Sequence, residues 1–320
     1  MTSRTRLANM LTMQRFLASL GIGVDVTSTA VRFGVIGRQG NGPAVHAART
    51  INLPTGVLTE SFGTSAIAGR DELSAALRSG LEESSSWKTS RIGLSLPDAM
   101  FRIQILEFDE LPRSAPDREK LIRWRLEKGA AFDMSDTMLR FQVHARPERG
   151  NVVLAAVAKQ ELIVSFEELL SGLGFEVWNI IPASFSVLNF YASYLHARSS
   201  TYAFARLSGG SYSTIIVDSG VPRFYRYREI KAAVRDEVVG RLVRELDDSL
   251  HFYMHRDRHQ PSEVGHLFVA GEPGVIDSLS DALKSGTSME IERLLPRSVV
   301  PSLEDEQGML VAAFGAGGMQ

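Results

Sequence analysis

The chain has 320 residues, of which 44% are hydrophobic and 22% are charged, and its net charge at pH 7 is −2. This composition is typical of a globular protein with room for about two domains, and the near-neutral charge gives no reason to expect nucleic acid as a partner. The chain contains no cysteine, which excludes disulfides and cysteine-ligated zinc, and no apolar run approaches the ~20 residues that a membrane-spanning helix needs.

The chain begins with a predicted amphipathic segment that leads into a group of strands. In residues 1–19, arginines alternate with apolar residues, which favours a helix packed on the domain or a frayed tail over a membrane-binding helix. Residues 20–53 consist of β-forming runs separated by turns, which predicts a meander of three strands. A helix at 71–84 and a buried strand at 91–96 follow, so residues 20–96 are expected to form the first part of an α/β half.

Residues 97–150 differ in pattern and predict a small α+β inserted subdomain. Residues 101–106 alternate apolar and polar, as a half-exposed strand does, and a helix is expected at 116–128. Strands are predicted at 138–145 and 152–157. The last of these strands is expected to rejoin the main sheet.

The rest of the chain repeats the pattern of a meander followed by helices. Helices are expected at 159–173, 183–195, 234–254 and 274–284. Strands are expected at 175–181, 202–207, 213–218, 223–228 and 266–270. Residues 151–198 would complete the first half, residues 199–304 would form the second half, and residues 305–320 would return to the first half as a C-terminal helix and tail. The sequence therefore predicts an α/β fold with an internal duplication.

Two short loops occupy corresponding places in the two halves, and each follows a β-run. Small hydroxyl residues and glycines at such a tip expose backbone N–H groups that can hold phosphate oxygens. The pattern predicts a nucleotide clamp, whose candidate residues are Asp25, Thr27, Ser28 and Thr29 in the first loop and Gly209, Gly210 and Ser211 in the second.

Each loop also has a plainer interpretation. The Asp25 carboxylate would organise Mg²⁺ through water, or it would only cap the tight turn that follows it. Gly209 and Gly210 would cradle a phosphate, or they would form an ordinary hairpin turn, which Gly-Gly also favours.

Several blocks of sequence resemble one family in their order and spacing over roughly residues 18–318. The blocks are Gly21–Val26, Ser95-Leu96-Pro97, Arg123–Lys128 with Phe132-Asp133 and Phe141–Val143, Leu242–Tyr253, Phe268–Gly271 and Ala313–Gly315. Together they are similar to the PilM family, the actin-like cytoplasmic proteins of type IV pilus assembly and relatives of the cell-division protein FtsA. The resemblance implies an actin-like (ribonuclease H-like) duplicated fold with a small α+β insert.

The resemblance also implies ATP and Mg²⁺ as ligands of the clamp. Glu245 would then face the ribose or adenine, and Gly271 would belong to the adenosine motif. The alternative for Glu245 is a place on a solvated, charged helix face.

Three departures from the family pattern weaken that implication. Thr27 stands where the family has a glycine, Arg206 to Ser208 supply no aspartate at the second loop, and Glu272 follows Gly271 in place of a second glycine. We therefore expect weak or absent hydrolysis and assign no catalytic residue. An active ATPase of the same fold is the alternative.

In the resembled family, a groove beside the insert takes the N-terminal cytoplasmic tail of a bitopic inner-membrane partner such as PilN. An extended peptide can add to a sheet edge, and the candidate contact residues are Phe101, Ile103, Ile105 and Phe141. The plainer interpretation is a small sheet with one face on its helix.

These observations predict a cytoplasmic scaffold of the pilus assembly platform, held beneath the inner membrane by its partner. Self-association of the scaffold is left open. The second alternative is the actin-like cytoplasmic component of a type II secretion system, a protein that normally continues into a transmembrane helix.

His251, His255 and His259 are spaced by four residues, a spacing that can pair imidazoles on one helix face. Pro261 is expected to end the helix near His259, and the surrounding residues are of mixed charge. We therefore predict no metal site.

Overall fold

In a computed structural model of the protein, the described residues are 21–39, 42–63, 66–82, 89–129, 132–146, 150–208, 210–230, 235–256, 262–271, 273–284 and 289–318. The amphipathic segment predicted at 1–19 lies outside these ranges. The chain divides into two compact units, Met1–Phe190 with Leu310–Gln320, and Tyr191–Met309.

The strands and helices follow in chain order. The strands are β1 (Ile22–Val26), β2 (Ala30–Gln39), β3 (Gly42–Asn52), β4 (Arg91–Leu96), β5 (Phe101–Phe108), β6 (Thr137–Arg146), β7 (Gly150–Lys159), β8 (Glu176–Pro182), β9 (Thr201–Ser208), β10 (Ser211–Asp218), β11 (Val221–Glu229), β12 (His266–Ala270) and β13 (Glu290–Arg293). The helices are α1 (Arg70–Leu81), α2 (Ala115–Glu127), α3 (Gln160–Gly172), α4 (Ala183–His196), α5 (Arg235–Arg256), α6 (Pro273–Lys284) and α7 (Val311–Gly317).

The two units contain sheets of the same design. The first has the strand order β3-β2-β1-β4-β8 and the second β11-β10-β9-β12-β13. In each, the first three strands in the sequence form an antiparallel meander, and the remaining two strands run parallel to the first strand of that meander. The predicted α/β fold with an internal duplication is therefore confirmed.

The insert forms a separate antiparallel sheet with the order β5-β7-β6. The expectation that its last strand rejoins the main sheet is wrong, because β7 is the central strand of this sheet and pairs with both neighbours. Residues 152–158 of β7 are all buried, and a continuous apolar run is typical of a central strand in either sheet. The sequence pattern alone therefore could not assign the strand to its sheet.

A buried carboxylate fixes the start of α4. Asp98 is 3% exposed and lies where the chain enters the insert. It accepts hydrogen bonds from the backbone N–H of Ser184, at 3.0 Å, and from the hydroxyl group of Ser184. The first turn of a helix has N–H groups without intrahelical partners, so this contact stabilises α4 and ties it to the insert.

The second unit has its own apolar core. Helices α5 and α6 place their buried residues against the sheet, including Leu242 and Leu246 from α5 and Ile276 and Leu279 from α6. Within the described ranges, the predicted helices and strands are present with small shifts at their ends, and β13 is a strand that the sequence does not predict. Its four residues include one apolar side chain, which gives no alternation to recognise. Among the helices of the described ranges, none is both long and apolar enough to cross a bilayer.

Helix α7 packs directly against the centre of the first sheet because glycines leave room for its backbone. A Cβ placed on Gly23 of β1 would lie 1.8 Å from the carbonyl oxygen of Ala313, and one on Gly93 of β4 would lie 1.9 Å from that of Ala316. On the other side of the helix, a Cβ on Gly315 would lie 1.9 Å from the Ser186 carbonyl oxygen. Backbone atoms in these places cannot yield cheaply, so the packing requires glycine.

Gly23→Ala is expected to lower the free energy of unfolding by about 3 kcal/mol or more, since overpacking at this site must displace backbone. Gly172→Ala is the matched control, because a Cβ at the end of α3 meets nothing within 4 Å. The free energy of unfolding of that variant should equal the wild-type value or exceed it by up to about 1 kcal/mol, because alanine favours the helix over glycine. Urea denaturation of both variants measures the difference, and equal midpoints would contradict the packing argument.

Candidate functional site

The first loop is a closed turn between β1 and β2. The Thr27 N–H donates to the Ala30 carbonyl oxygen at 2.9 Å, and the Ala30 N–H donates to the Thr27 hydroxyl oxygen at 3.1 Å. The backbone donors at both ends of the turn are therefore used within it. The Thr27 side chain helps to form the turn, in the place where the family pattern has glycine.

Asp25 precedes this turn and is 1% exposed. One of its carboxylate oxygens, Oδ1, accepts a hydrogen bond from the Ser95 hydroxyl group at 2.7 Å. The other, Oδ2, accepts from Nη1 of Arg32 at 3.2 Å. Asp25 and Arg32 are directly opposite each other in the β1–β2 pairing, so the hairpin itself places the guanidinium on the carboxylate. A buried carboxylate is tolerated when it is paired and hydrogen-bonded in this way.

A second carboxylate reaches the loop from a distant part of the chain. Oε1 of Glu60 accepts a hydrogen bond from the Ser28 backbone N–H at 2.7 Å. The distance lies within the usual range of an N–H···O hydrogen bond. This N–H is one of the groups expected to hold a phosphate oxygen, and here it holds a carboxylate of the same unit.

The second loop, in the second unit, is a two-residue hairpin turn. Ser208 and Ser211 pair across it, and the Ser211 hydroxyl group donates to the Ser208 carbonyl oxygen at 2.6 Å. Gly210 has φ +77°, a conformation that favours glycine. Gly209 lies outside the described residues. Burial raises the pKa of the adjacent Tyr212, so its phenol stays neutral at physiological pH.

Two further candidate residues of the nucleotide site lie in the same unit. Gly271 has φ +146°, and a Cβ there would lie 2.4 Å from the Leu207 carbonyl oxygen, so it passes close to the strand end before the second loop. Glu245 lies on α5 with one carboxylate oxygen 3.9 Å from Arg226 and 3.6 Å from Arg228. Its charge is therefore balanced by arginines of β11.

The four candidate partner-binding residues do not share one surface. Phe101 and Ile105 on β5 are 4% and 7% exposed, and Ile103 between them is partly exposed. Phe141 on β6 packs against the apolar cluster beneath α2. Its cross-strand partner is Ala155, whereas the partners of the three β5 residues are even-numbered positions of β7, on the opposite face.

A cleft of about 500 Å³ lies beside the insert within the first unit. The segment before α1, the start of α1, the ends of the insert strands and the first turns of α3 line it. Its two basic lining residues form ion pairs: Arg70 lies 3.0 Å from Glu168, and Lys159 lies 2.6 Å from Asp136. The lining residues are Gly63, Ala66, Ile67, Arg70, Asp136, Lys159, Gln160, Glu161, Leu162, Val164 and Ser165.

The segment before α1 is anchored to the insert by an aromatic side chain. The Phe62 ring packs edge-on to Phe132 with centroids 4.7 Å apart. The guanidinium of Arg102 lies 4.4 Å from the Phe62 centroid, and the ammonium of Lys159 lies 5.6 Å from it. An isolated antiparallel β-bridge between Leu58 and Ile67 closes this segment. We call the segment from Leu58 to Ile67 the strap. The strap thus forms one wall of the cleft.

The structure brings Asp25, Thr27 and Ser28 together with three residues that the sequence analysis did not assign to this loop: Arg32, Glu60 and Ser95. A short hairpin turn between β1 and β2 sets Asp25 opposite Arg32, so this pair carried a recognisable signal. Glu60 and Ser95 come from 32 and 70 residues away, and no local pattern placed either of them at the loop. In the described part of the chain, no three His, Cys, Asp or Glu side chains are grouped as metal ligands.

Arg32→Met should lower the free energy of unfolding by ~3–5 kcal/mol, because it leaves the buried Asp25 carboxylate without its counter-charge. The double variant Asp25→Asn, Arg32→Met should lose less than Arg32→Met alone, since no charge is then left unpaired. Chemical denaturation of both variants checks this. Equal losses would indicate that the guanidinium does not balance Asp25.

Comparison with known proteins places the architecture. No protein-family model and no curated protein matches the chain. Among solved structures, the PilM–PilN type IV pilus biogenesis complex matches with a TM-score of 0.74 and 18% identity, over 93% of this chain and 98% of the other. A Bacteroides thetaiotaomicron protein with actin-like ATPase fold matches at TM-score 0.52 and 10% identity, over 91% and 95% of the two chains. The ethanolamine utilization protein EutJ from Carboxydothermus hydrogenoformans matches with a TM-score of 0.51 and 9% identity, over 97% of this chain and 95% of the other. The expected fold is confirmed: this chain has the actin-like ATPase fold.

Proposed function

We propose that this protein is a PilM-like scaffold of a type IV pilus assembly platform. It binds the N-terminal cytoplasmic tail of a bitopic, PilN-like inner-membrane protein, and through that partner it is held at the cytoplasmic face of the membrane. The observation that carries the proposal is the likeness to the PilM–PilN complex, which extends over 93% of this chain and 98% of the matched chain. The sequence blocks of the insert and of α5 support the same family.

The cleft beside the insert is the surface that suits such a tail. Its volume, about 500 Å³, is within the ~300–1,000 Å³ usual for ligand pockets. It combines apolar lining from Ala66 and Leu162 with charged groups from Arg70 and Lys159. A short extended peptide could bury apolar side chains there and pair its charges with the rim. The candidate residue Phe101 begins β5 and pairs with Ala158 of β7. Ala158 directly precedes Lys159, which lines the cleft.

We propose that the scaffold acts by binding its partner and does not hydrolyse ATP. The described part of the second loop is a tight turn between Ser208 and Ser211, and the preceding positions supply Arg206 and Leu207 in place of an acid. An acid at such a loop would position the water bound to Mg²⁺. Nucleotide, if taken up with Mg²⁺, would then act by shifting a conformational population.

Ser165→Trp is expected to weaken binding of the partner's tail at least tenfold, or ~1.4 kcal/mol, because the indole fills the cleft. Ser171→Trp is the control, since Ser171 lies on the exposed side of the same helix. A fluorescent synthetic peptide carrying the tail of the cognate bitopic protein, titrated with each variant, gives the two affinities. Circular dichroism verifies that both variants fold.

Two outcomes of this titration would count against the proposal. The wild type failing to bind the tail would exclude the scaffold function as stated. Equal weakening by both tryptophans would move the tail away from the cleft.

A further inference from the structure

We propose that Glu60 and Arg32 stand in, within the chain, for the phosphate and the cation of a nucleotide at the first loop. While they hold their contacts, this loop accepts neither phosphate nor Mg²⁺. The inference concerns the first unit alone and does not depend on the partner proposed above.

The anion side of the loop is occupied by Glu60. Its carboxylate oxygen lies 2.7 Å from the Ser28 nitrogen, the distance at which a phosphate oxygen would accept the same N–H. The neighbouring N–H groups of Thr27 and Ala30 are used inside the turn. A phosphate approaching Ser28 would meet a carboxylate of like charge and would have to displace it.

The cation side is occupied by Arg32. Both oxygens of Asp25 already accept hydrogen bonds, from Ser95 and from Arg32. The guanidinium keeps its charge at every physiological pH, and it is fixed by its position in β2, opposite Asp25. Mg²⁺ at Asp25 would need the arginine to leave and would be repelled while it stays. The residues present therefore do not fit the metal that the fold family implies.

The two stand-ins differ in how firmly they are held. Arg32 belongs to a central hairpin of the sheet, whereas Glu60 lies on the strap. The strap is held by the Leu58–Ile67 bridge, by the Thr59 N–H that donates to the Ala66 carbonyl oxygen at 2.8 Å, and by the packing of Phe62 on Phe132, and Glu60 takes part in none of these contacts. Glu60 can therefore be removed with little disturbance of the sheet. Its removal frees the Ser28 N–H for another anion without any metal, and Nη1 of Arg32 lies 3.5 Å from the hydroxyl oxygen of the adjacent Thr27.

The test uses the full-length protein and inorganic pyrophosphate, with EDTA or with Mg²⁺, in isothermal titration calorimetry. Glu60→Ala should bind pyrophosphate in EDTA at least tenfold more tightly than the wild type. Glu60→Gln keeps an acceptor but loses the charge, so its affinity should lie between the two. Glu72→Gln, an exposed acid on α1, is the control and should behave as the wild type.

The cation side is tested by Arg32→Met and Arg32→Lys. Millimolar Mg²⁺ should raise the melting temperature of Arg32→Met, whose Asp25 lacks a counter-charge, and should leave the wild type and Arg32→Lys unchanged. If Arg32→Met does not fold, the Glu60 series still decides the question.

The proposal is overturned if the wild type binds pyrophosphate as tightly as Glu60→Ala does, or if Glu60→Ala gains no affinity. Titrating the same variants with the partner's tail separates the two hypotheses. If Glu60→Ala gains pyrophosphate binding and no variant binds the tail, the roles of Glu60 and Arg32 are supported and the scaffold function is refuted. If the tail binds and Glu60→Ala gains no pyrophosphate binding, the scaffold function is supported and the roles of Glu60 and Arg32 are refuted.

Discussion

The backbone contact between α7 and strands β1 and β4 is the constraint on which the first unit depends. Positions 23 and 93 have no space for a Cβ, because the carbonyl groups of α7 lie directly over them. The same two strands carry Asp25 and Ser95 one residue before their ends, and the two side chains are hydrogen-bonded to each other. A helix from the far end of the chain therefore sets the spacing of the strands that carry the first loop. Dense backbone packing of this kind is rigid, so the loop has a fixed base.

The glycines of β1 illustrate how one residue type can serve two purposes. In sequence, Gly21 and Gly23 resemble the start of a phosphate loop, where glycine lets backbone approach a ligand. In the structure they admit α7: a Cβ on Gly21 would lie 2.8 Å from the Gly317 carbonyl oxygen. The glycine motif thus predicted the fold correctly. Whether the loop can bind a phosphate is decided by Thr27 and by residues outside the motif.

Local patterns predicted most of the fold, because helix and strand periodicities depend on near neighbours. The sheet to which β7 belongs was not predictable, since its buried run fits the centre of either sheet. The same limit applies to the candidate site. The pair of Asp25 and Arg32 follows from hairpin register, but the contact of Glu60 with Ser28 depends on tertiary structure. The candidate residues Phe101 and Phe141 were assigned to one peptide-binding surface beside the insert, and strand register places them on opposite faces.

The strap joins two places that are otherwise far apart in the sequence. Glu60 contacts the first loop, and Phe62, two residues further on, lies against Arg102 and against Lys159, which lines the cleft. Both contacts therefore belong to one short segment, and any coupling between a ligand at Phe62 and the Glu60 contact would be reciprocal. A single stretch of chain, closed by the Leu58–Ile67 bridge, thus supplies both the carboxylate at the first loop and the aromatic anchor on the insert.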